Sequence, residues 1–160
     1  MTVEPLAIDA SPLILLAKIN ALPLLAQLPY RFIAPREVMD ELAAGVAAGH
    51  PAIDFPELEI APLASPVSFL TRAALGRGEA AVIQLAQERG LKRVCLDDLR
   101  GRRMARAVEL EVVGVLGLLG QAKRRGLISE LEPYAKRLIA VGARYHPELV
   151  ARMIREIDGG

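Results

Sequence analysis

Short aliphatic runs alternate along this chain with longer segments whose apolar residues recur at helical spacing. The runs are too short for helices and are bounded by turn or cap residues, which is typical of buried strands; they cover residues 5–8, 30–34, 58–61, 93–96 and 112–113. Strands that alternate with helices predict a parallel sheet with helices on both faces. At 160 residues, the chain is expected to form one α/β domain over residues 1–160.

The helical segments carry recognisable start signals. Ser11 is expected to cap the first helix, because its hydroxyl can accept hydrogen bonds from free backbone N–H groups. Asn20 is expected to cap a second, short helix over residues 22–28. Two amphipathic segments predict a helical C-terminal tail over about 129–160, and they cover residues 130–139 and 148–157.

Composition narrows the class of protein. Hydrophobic residues make up 52% of the chain and charged residues 24%, which excludes intrinsic disorder. The single cysteine, Cys95, excludes an intramolecular disulfide framework and an all-cysteine zinc site, and it is expected to be a small core residue. No apolar stretch reaches the roughly 18 residues of a membrane span, and the first residues show no signal-peptide pattern. We therefore expect a cytoplasmic protein that does not associate with membranes.

Charge is divided unevenly between the two halves of the chain. The net charge of +1 argues against broad electrostatic coating of DNA. Residues 1–80, however, carry 5 Lys and Arg against 9 Asp and Glu, whereas residues 81–160 carry 15 against 10. An acidic half beside a basic half suits a cation-binding pocket next to an anion-binding surface. Because aromatic residues are only 4% of the chain, bound nucleic acid is expected to be held mainly through its backbone.

Acidic residues follow two of the predicted strands. Asp9 ends the first run, and Asp97 with Asp98 ends a later one. The carboxyl ends of parallel strands meet at one edge of a sheet, so these side chains converge if the strands are neighbours. Glu41 and Glu79 lie on predicted helices that can point to the same edge. Clustered carboxylates repel unless cations neutralise them, and Mg²⁺ held by oxygen ligands can activate water for attack on a phosphodiester.

Most of these acids also have a structural alternative. Asp98 can cap a helix that begins at the next residue, and Glu79 in a first turn is favoured by the helix dipole. Glu41 can belong to the solvated face of a surface helix. Asp9 has no such explanation, because Ser11 already supplies the expected cap and a carboxylate after a buried strand needs a partner.

Six ordered segments together span nearly the whole chain: residues 8–14 (IDASPLI), 38–42 (VMDEL), 78–83 (GEAAVI), 96–105 (LDDLRGRRMA, with the pattern DDxRxRR), 113–119 and 122–128. In this order they resemble PIN-domain proteins, the nuclease fold of the VapC toxins. The resemblance implies a three-layer fold with a central, mostly parallel sheet flanked by helices. It also implies an endoribonuclease that depends on Mg²⁺ or Mn²⁺, commonly a toxin held inactive by an antitoxin protein.

The resemblance also assigns site residues. The implied catalytic carboxylates are Asp9, Glu41, Glu79, Asp97 and Asp98, and the implied metal ligands are Asp9, Glu79, Asp97, Asp98 and Ser11. Glu79 stands where many PIN proteins carry Asp, which moves its carboxylate by one methylene. Which member of the Asp97–Asp98 pair faces the metal stays open, although the motif favours Asp98.

Four arginines follow the acidic pair on one predicted helix. Arg100 and Arg103 lie one helical turn apart and are expected to bind RNA phosphates. The alternative is a solvated face with salt bridges to Glu109 or Glu111. The two histidines, His50 and His146, have no second ligand at metal-binding spacing and are expected on the surface.

Together these features predict a metal-dependent ribonuclease. A mean hydropathy of +0.31 is high for a small monomer, so a protein partner is expected, either an antitoxin or a second copy in a homodimer. One alternative is a non-catalytic PIN-like module that binds its partners without chemistry. Another is a receiver-like Mg²⁺-binding signalling domain, but the phosphoacceptor Asp and late-strand Lys that it needs do not stand out.

Overall fold

A single parallel sheet organises the protein. The computed structural model describes residues 2–159. Its five strands are Glu4–Ile8 (β1), Tyr30–Pro35 (β2), Glu59–Ala61 (β3), Arg93–Cys95 (β4) and Glu111–Val113 (β5). All neighbouring strands pair in parallel, and their order across the sheet is β3-β2-β1-β4-β5. The predicted α/β class and three-layer arrangement are therefore confirmed.

Helices connect the strands and cover the sheet. They are Ala10–Lys18 (α1), Arg36–Ala47 (α2), Phe69–Ala74 (α3), Arg77–Arg89 (α4), Leu99–Ala107 (α5), Val115–Arg124 (α6), Glu132–Ala140 (α7) and Pro147–Asp158 (α8). A 3₁₀ helix, Leu22–Gln27, lies between α1 and β2. The two helices expected in the C-terminal tail are present as α7 and α8.

The direction of chain progression reverses between β1 and β4. From β1 the chain moves to β2 and then to the edge strand β3, after which it crosses back to the other side of β1 to form β4 and β5. Ile8 pairs with Cys95, and the N–H of Asp9 donates to the carbonyl oxygen of Cys95 at 3.1 Å. Parallel α/β sheets bind ligands at such a switch point, beyond the carboxyl ends of the strands.

The core is aliphatic, as the low aromatic content predicts. Every one of the largest fully buried side chains is leucine or isoleucine. Cys95 is fully buried in β4, which confirms its expected place in the core. The tail packs onto this core through Leu131, Leu138 and Ile157, and the carboxylate of Asp158 accepts the N–H groups of Leu131 at 2.6 Å and Glu132 at 3.0 Å. The last helix is thereby tied to the start of α7.

Two predicted caps are wrong. Helix α1 begins at Ala10 with Asp9 at its N-cap position, so Ser11 lies inside the first turn. Asn20 precedes the 3₁₀ helix without capping it, and it adopts a left-handed backbone with φ of 56°. Strand pairing sets the start of α1, because β1 ends at Ile8 and leaves only Asp9 before the helix begins. Helix α3 was not predicted, since residues 69–74 carry no clear amphipathic pattern.

Candidate active site

Asp9 is the most buried charged residue in the described chain. It follows β1 directly and is only 4% exposed. Its Oδ1 atom is buried without a hydrogen-bond partner, and its side chain does not cap α1. Burial, together with repulsion from Glu41, Glu79 and Asp98, raises the pKa of Asp9 to about 7 against the lowering effect of the Ala10 N–H. A cation at this position would stabilise the ionised form of the carboxylate.

Glu79 lies close enough to Asp9 for its charge to raise the pKa of that residue. It occupies the first turn of α4, and its Oε2 atom is also buried without a partner. Burial raises the pKa of Glu79 to about 7, and the neighbouring carboxyl of Asp98 acts in the same direction. Arg100 opposes this shift through its positive charge. Asp9 and Glu79 thus share one environment, although 70 residues separate them in the chain.

Asp98 and Glu41 complete the carboxylate cluster while also holding backbone groups. Asp98 caps α5 by accepting the N–H groups of Arg100 at 2.9 Å and Gly101 at 3.2 Å, which confirms its predicted capping role. Glu41 projects from α2 and accepts the N–H of Gly78 at 2.7 Å. Each residue therefore anchors a helix start beside the pocket, and capping does not exclude a place in the cluster.

Two glycines allow the backbone to approach these acids. A Cβ atom on Gly101 would lie 2.9 Å from Oε2 of Glu79, and one on Gly78 would overlap the carboxyl group of Glu41. Both positions are inside helices, where glycine is unfavourable by roughly 1 kcal/mol relative to alanine. Sequence reasoning missed their role. The signal that could have found them was a glycine inside a predicted helix, where glycine is unfavourable, close in sequence to an acidic residue.

Asp97 turns away from the cluster. Its Oδ1 accepts the N–H of Val115 at 3.1 Å, and its Oδ2 accepts the hydroxyl of Tyr145 at 3.2 Å. Burial raises its pKa, while these two hydrogen bonds and the nearby Arg102 lower it in part. Asp97 therefore connects the start of α6 with the segment between α7 and α8. Its neighbour Asp98, which faces Glu79, is the member of the pair in the cluster.

A family model described as a PIN domain matches residues 5–159. The chain belongs to the PIN-domain family. PIN domains are generally nucleases, so the coarse functional class is a nuclease and hydrolase. No curated protein matches the chain. Within residues 2–159, none of the helices is long and apolar enough to cross a membrane. The match to the PIN-domain model leaves the alternative of a receiver-like signalling domain without support.

The acidic pocket of this PIN domain suits a sparsely ligated divalent cation. Across the described residues, no three His, Cys, Asp or Glu side chains are grouped so that they could enclose a metal ion. Mg²⁺, however, commonly binds through one or two carboxylates and keeps several waters. The unpartnered oxygens of Asp9 and Glu79 supply such a pair, so these residues fit the metal that PIN domains typically use.

The remaining predicted residues surround this pocket. Ser11 is exposed and, with Asp98, lines a cavity of about 310 Å³. Arg100 is exposed close enough to Glu79 to oppose the rise in its pKa, and Arg103 is exposed one turn further along α5. The alternative of salt bridges from this arginine helix to Glu109 or Glu111 is not met among residues 2–159, where Glu111 pairs with Arg93 at 2.7 Å.

Both histidines are on the surface, as expected. His50 is exposed, and the Nδ1 atom of His146 accepts the N–H of Glu148 at 3.2 Å at the start of α8. His50 lines the same cavity as Ser11 and Asp98.

Proposed function

We propose that this PIN domain is a Mg²⁺- or Mn²⁺-dependent endoribonuclease that hydrolyses RNA phosphodiesters. The observation that carries the proposal is the pair of buried, unpartnered carboxylate oxygens of Asp9 and Glu79 at the switch point of the sheet. Carboxylates with pKa values raised to about 7 are costly to ionise without a cation. The site therefore strongly favours binding of a cation. The exposed guanidinium of Arg100 lies beside it, where a phosphate would be held.

The residues divide the work between metal binding, positioning and substrate binding. When bound, the divalent cation supplies a water of lowered pKa and neutralises charge that develops on the phosphate. Asp9 and Glu79 would hold it directly. Glu41 and Asp98 position the starts of α4 and α5 through the N–H groups they accept. Arg100 and Arg103 would orient the RNA backbone. Ser11 would contact the ligands of the metal at the mouth of the pocket.

Cleavage of labelled single-stranded RNA is expected to require Mg²⁺ or Mn²⁺ and to stop when EDTA is added. Glu79→Gln is expected to lower the rate by about 100-fold, because a neutral amide binds a hard cation weakly; this corresponds to about 3 kcal/mol. The measurement is product formation on a denaturing gel at several metal concentrations.

Glu130→Gln is the matched control, since Glu130 is exposed just before α7 and remote from the pocket. It should cleave RNA at the wild-type rate. Activity that persists in EDTA, or a Glu79→Gln enzyme as fast as the control, would contradict the proposed function. A protein that binds RNA but cleaves none with either metal would instead be the non-catalytic module.

We extend the proposal to the toxin component of a toxin–antitoxin pair. An apolar groove of about 720 Å³ lies between α7 and α8, and it is lined by Ile139, Val150 and Ile154. Ile139 is 49% exposed, and basic residues border the groove at Lys136 and Arg144. A basic rim around an apolar floor is complementary to an acidic amphipathic helix, which is the partner we propose for it.

Where a small protein is encoded directly upstream, Ile139→Glu is expected to abolish co-purification with it while leaving RNA cleavage unchanged. A carboxylate in the apolar groove would be desolvated and would repel an acidic partner. Val46→Glu is the control, because Val46 is 48% exposed on the distant helix α2. Light scattering of each sample distinguishes a heteromeric complex from a homodimer. Equal loss of the partner in both variants, or in neither, would contradict this use of the groove.

A further inference from the structure

A second pocket on the protein is rich in arginine. It has a volume of about 430 Å³, and Arg36, Arg72 and Arg77 line it against a single acid, Glu37. These arginines come from three different helices, α2, α3 and α4. Arg77 pairs with Asp40 at 3.1 Å, whereas Arg36 and Arg72 form no ion pair with any part of the chain from residue 2 to residue 159. We refer to Arg36, Arg72 and Arg77 as the arginine pocket.

One wall of the arginine pocket is held in place by hydrogen bonds. The loop over residues 62–67 forms this wall, and the carboxylate of Glu88 accepts the N–H groups of Ala64 at 2.8 Å and Ser65 at 3.2 Å. The amide of Gln84 donates to the carbonyl oxygen of Ser65 at 2.6 Å. Because Gln84 and Glu88 both lie on α4, the loop is fixed to the same helix that carries Arg77. The pocket is therefore formed before any ligand arrives.

The arginine pocket adjoins the carboxylate cluster. Arg77 and Glu79 are two residues apart at the start of α4, and the N–H of Gly78 between them donates to Glu41. Asp40, the partner of Arg77, directly precedes Glu41 on α2. A strand that crosses the cluster would therefore continue across the pocket. Because arginine at the first helical position is disfavoured by the helix dipole, Arg36 and Arg77 would also be stabilised by a bound anion.

An exposed aromatic side chain stands next to the pocket. Phe69 is 82% exposed, the highest exposure of the large hydrophobic residues in the described chain. It lies three residues before Arg72 on α3, which places the two residues on the same side of that helix. An exposed phenyl ring beside guanidinium groups is the combination with which proteins hold single strands, the ring stacking on a base and the cations binding phosphates.

We propose that the arginine pocket binds the phosphate backbone of single-stranded RNA beside the carboxylate cluster, with Phe69 stacking on a base. The identity of the ligand as RNA rests on the proposed nuclease function. Arg36 and Arg72 supply phosphate contacts, and Arg77 positions the start of α4 through Asp40. The pocket has no aromatic or amide side chain facing its arginines from the 62–67 loop, so it recognises backbone without reading sequence.

The test measures RNA binding without cleavage. A fluorescent single-stranded RNA is titrated in EDTA with Asp9→Asn protein at several salt concentrations. Adding Arg36→Ala and Arg72→Ala together is expected to reduce the slope of log affinity against log salt by about 1.4 and to weaken binding about 25-fold at 0.1 M salt. Adding Phe69→Ala is expected to weaken binding about tenfold with an unchanged slope, because stacking releases no counterions.

Arg89→Ala is the matched control, since Arg89 is exposed at the opposite end of α4 from Arg77. It should leave affinity close to that of the parent. The pocket proposal is overturned if the double arginine variant keeps the affinity and slope of the parent. It is also overturned if the parent binds no RNA at about 0.05 M salt, a low concentration that favours phosphate contacts. Tighter binding of DNA of the same sequence would overturn it as well.

The outcomes separate this inference from the nuclease proposal. If the double arginine variant has an altered salt slope but the wild-type protein cleaves no RNA, the pocket proposal stands and the nuclease proposal is removed. If the wild-type protein cleaves RNA in a metal-dependent way but the double arginine variant has an unaltered salt slope, the nuclease proposal stands and the pocket proposal is removed.

Discussion

Asp9→Asn is expected to lower the rate of RNA cleavage by about 1,000-fold, equivalent to about 4 kcal/mol of transition-state stabilisation. Asp9 carries a buried carboxylate oxygen without a hydrogen-bond partner, so it is the residue whose charge a cation would most directly balance. Asparagine keeps the shape of the side chain but removes that charge. Cleavage of labelled RNA at saturating Mn²⁺ measures the effect.

Asp54→Asn is the control for this substitution, because Asp54 is exposed in the loop before β3. It should retain wild-type cleavage and wild-type unfolding. An Asp9→Asn protein that is folded and cleaves RNA as fast as Asp54→Asn would remove Asp9 from the site and the carboxylate cluster from the mechanism.

Asp9→Asn is also expected to stabilise the metal-free protein above neutral pH. The folded-state pKa of Asp9 is raised from 3.8 to about 7 by burial, so the folded protein binds this proton more tightly than the unfolded chain does. The associated stability is fully present below pH 3.8 and is lost as pH rises through about 7. Because each pKa unit corresponds to about 1.4 kcal/mol, the loss reaches about 4 kcal/mol, and asparagine avoids it.

Urea unfolding in EDTA between pH 4 and pH 8, roughly the window of this titration, measures the difference. The two proteins should converge at the acidic end, and the variant should gain stability over wild type as pH rises. Adding Mn²⁺ should reverse the order at high pH, since only wild type gains binding energy from the metal. Parallel pH profiles for the two proteins would show that Asp9 is not desolvated as the structure indicates.

The alternation of strands and helices was predictable because it rests on local periodicity. A buried strand needs only a short apolar run, and the runs ending before Asp9 and Asp97 read as β1 and β4 without tertiary information. Boundaries were less predictable. Ser11 has the chemistry of a cap, yet α1 starts before it, because pairing of β1 with β4 ends the strand immediately before Asp9.

The carboxylate cluster was predictable in most of its members, but the orientation of Asp97 away from it was not. The motif favours Asp98 but leaves both residues open, and their separation into different hydrogen-bond networks depends on Val115 and Tyr145, which are distant in the chain. The close approach of Gly101 to Glu79 likewise joins α5 to α4. Non-local packing of this kind leaves no periodic trace in a sequence.

The sequence by itself determined the order of the elements, the aliphatic core and the kinds of side chain that follow each strand, because these depend on burial and period alone. Only the tertiary structure decided which of those side chains meet. The order β3-β2-β1-β4-β5 makes β1 and β4 neighbours, and so brings Asp9 beside Asp98. The same packing assembles the arginine pocket from three helices. Such contacts form because strand pairing and helix packing place chain segments together, whatever their separation in sequence.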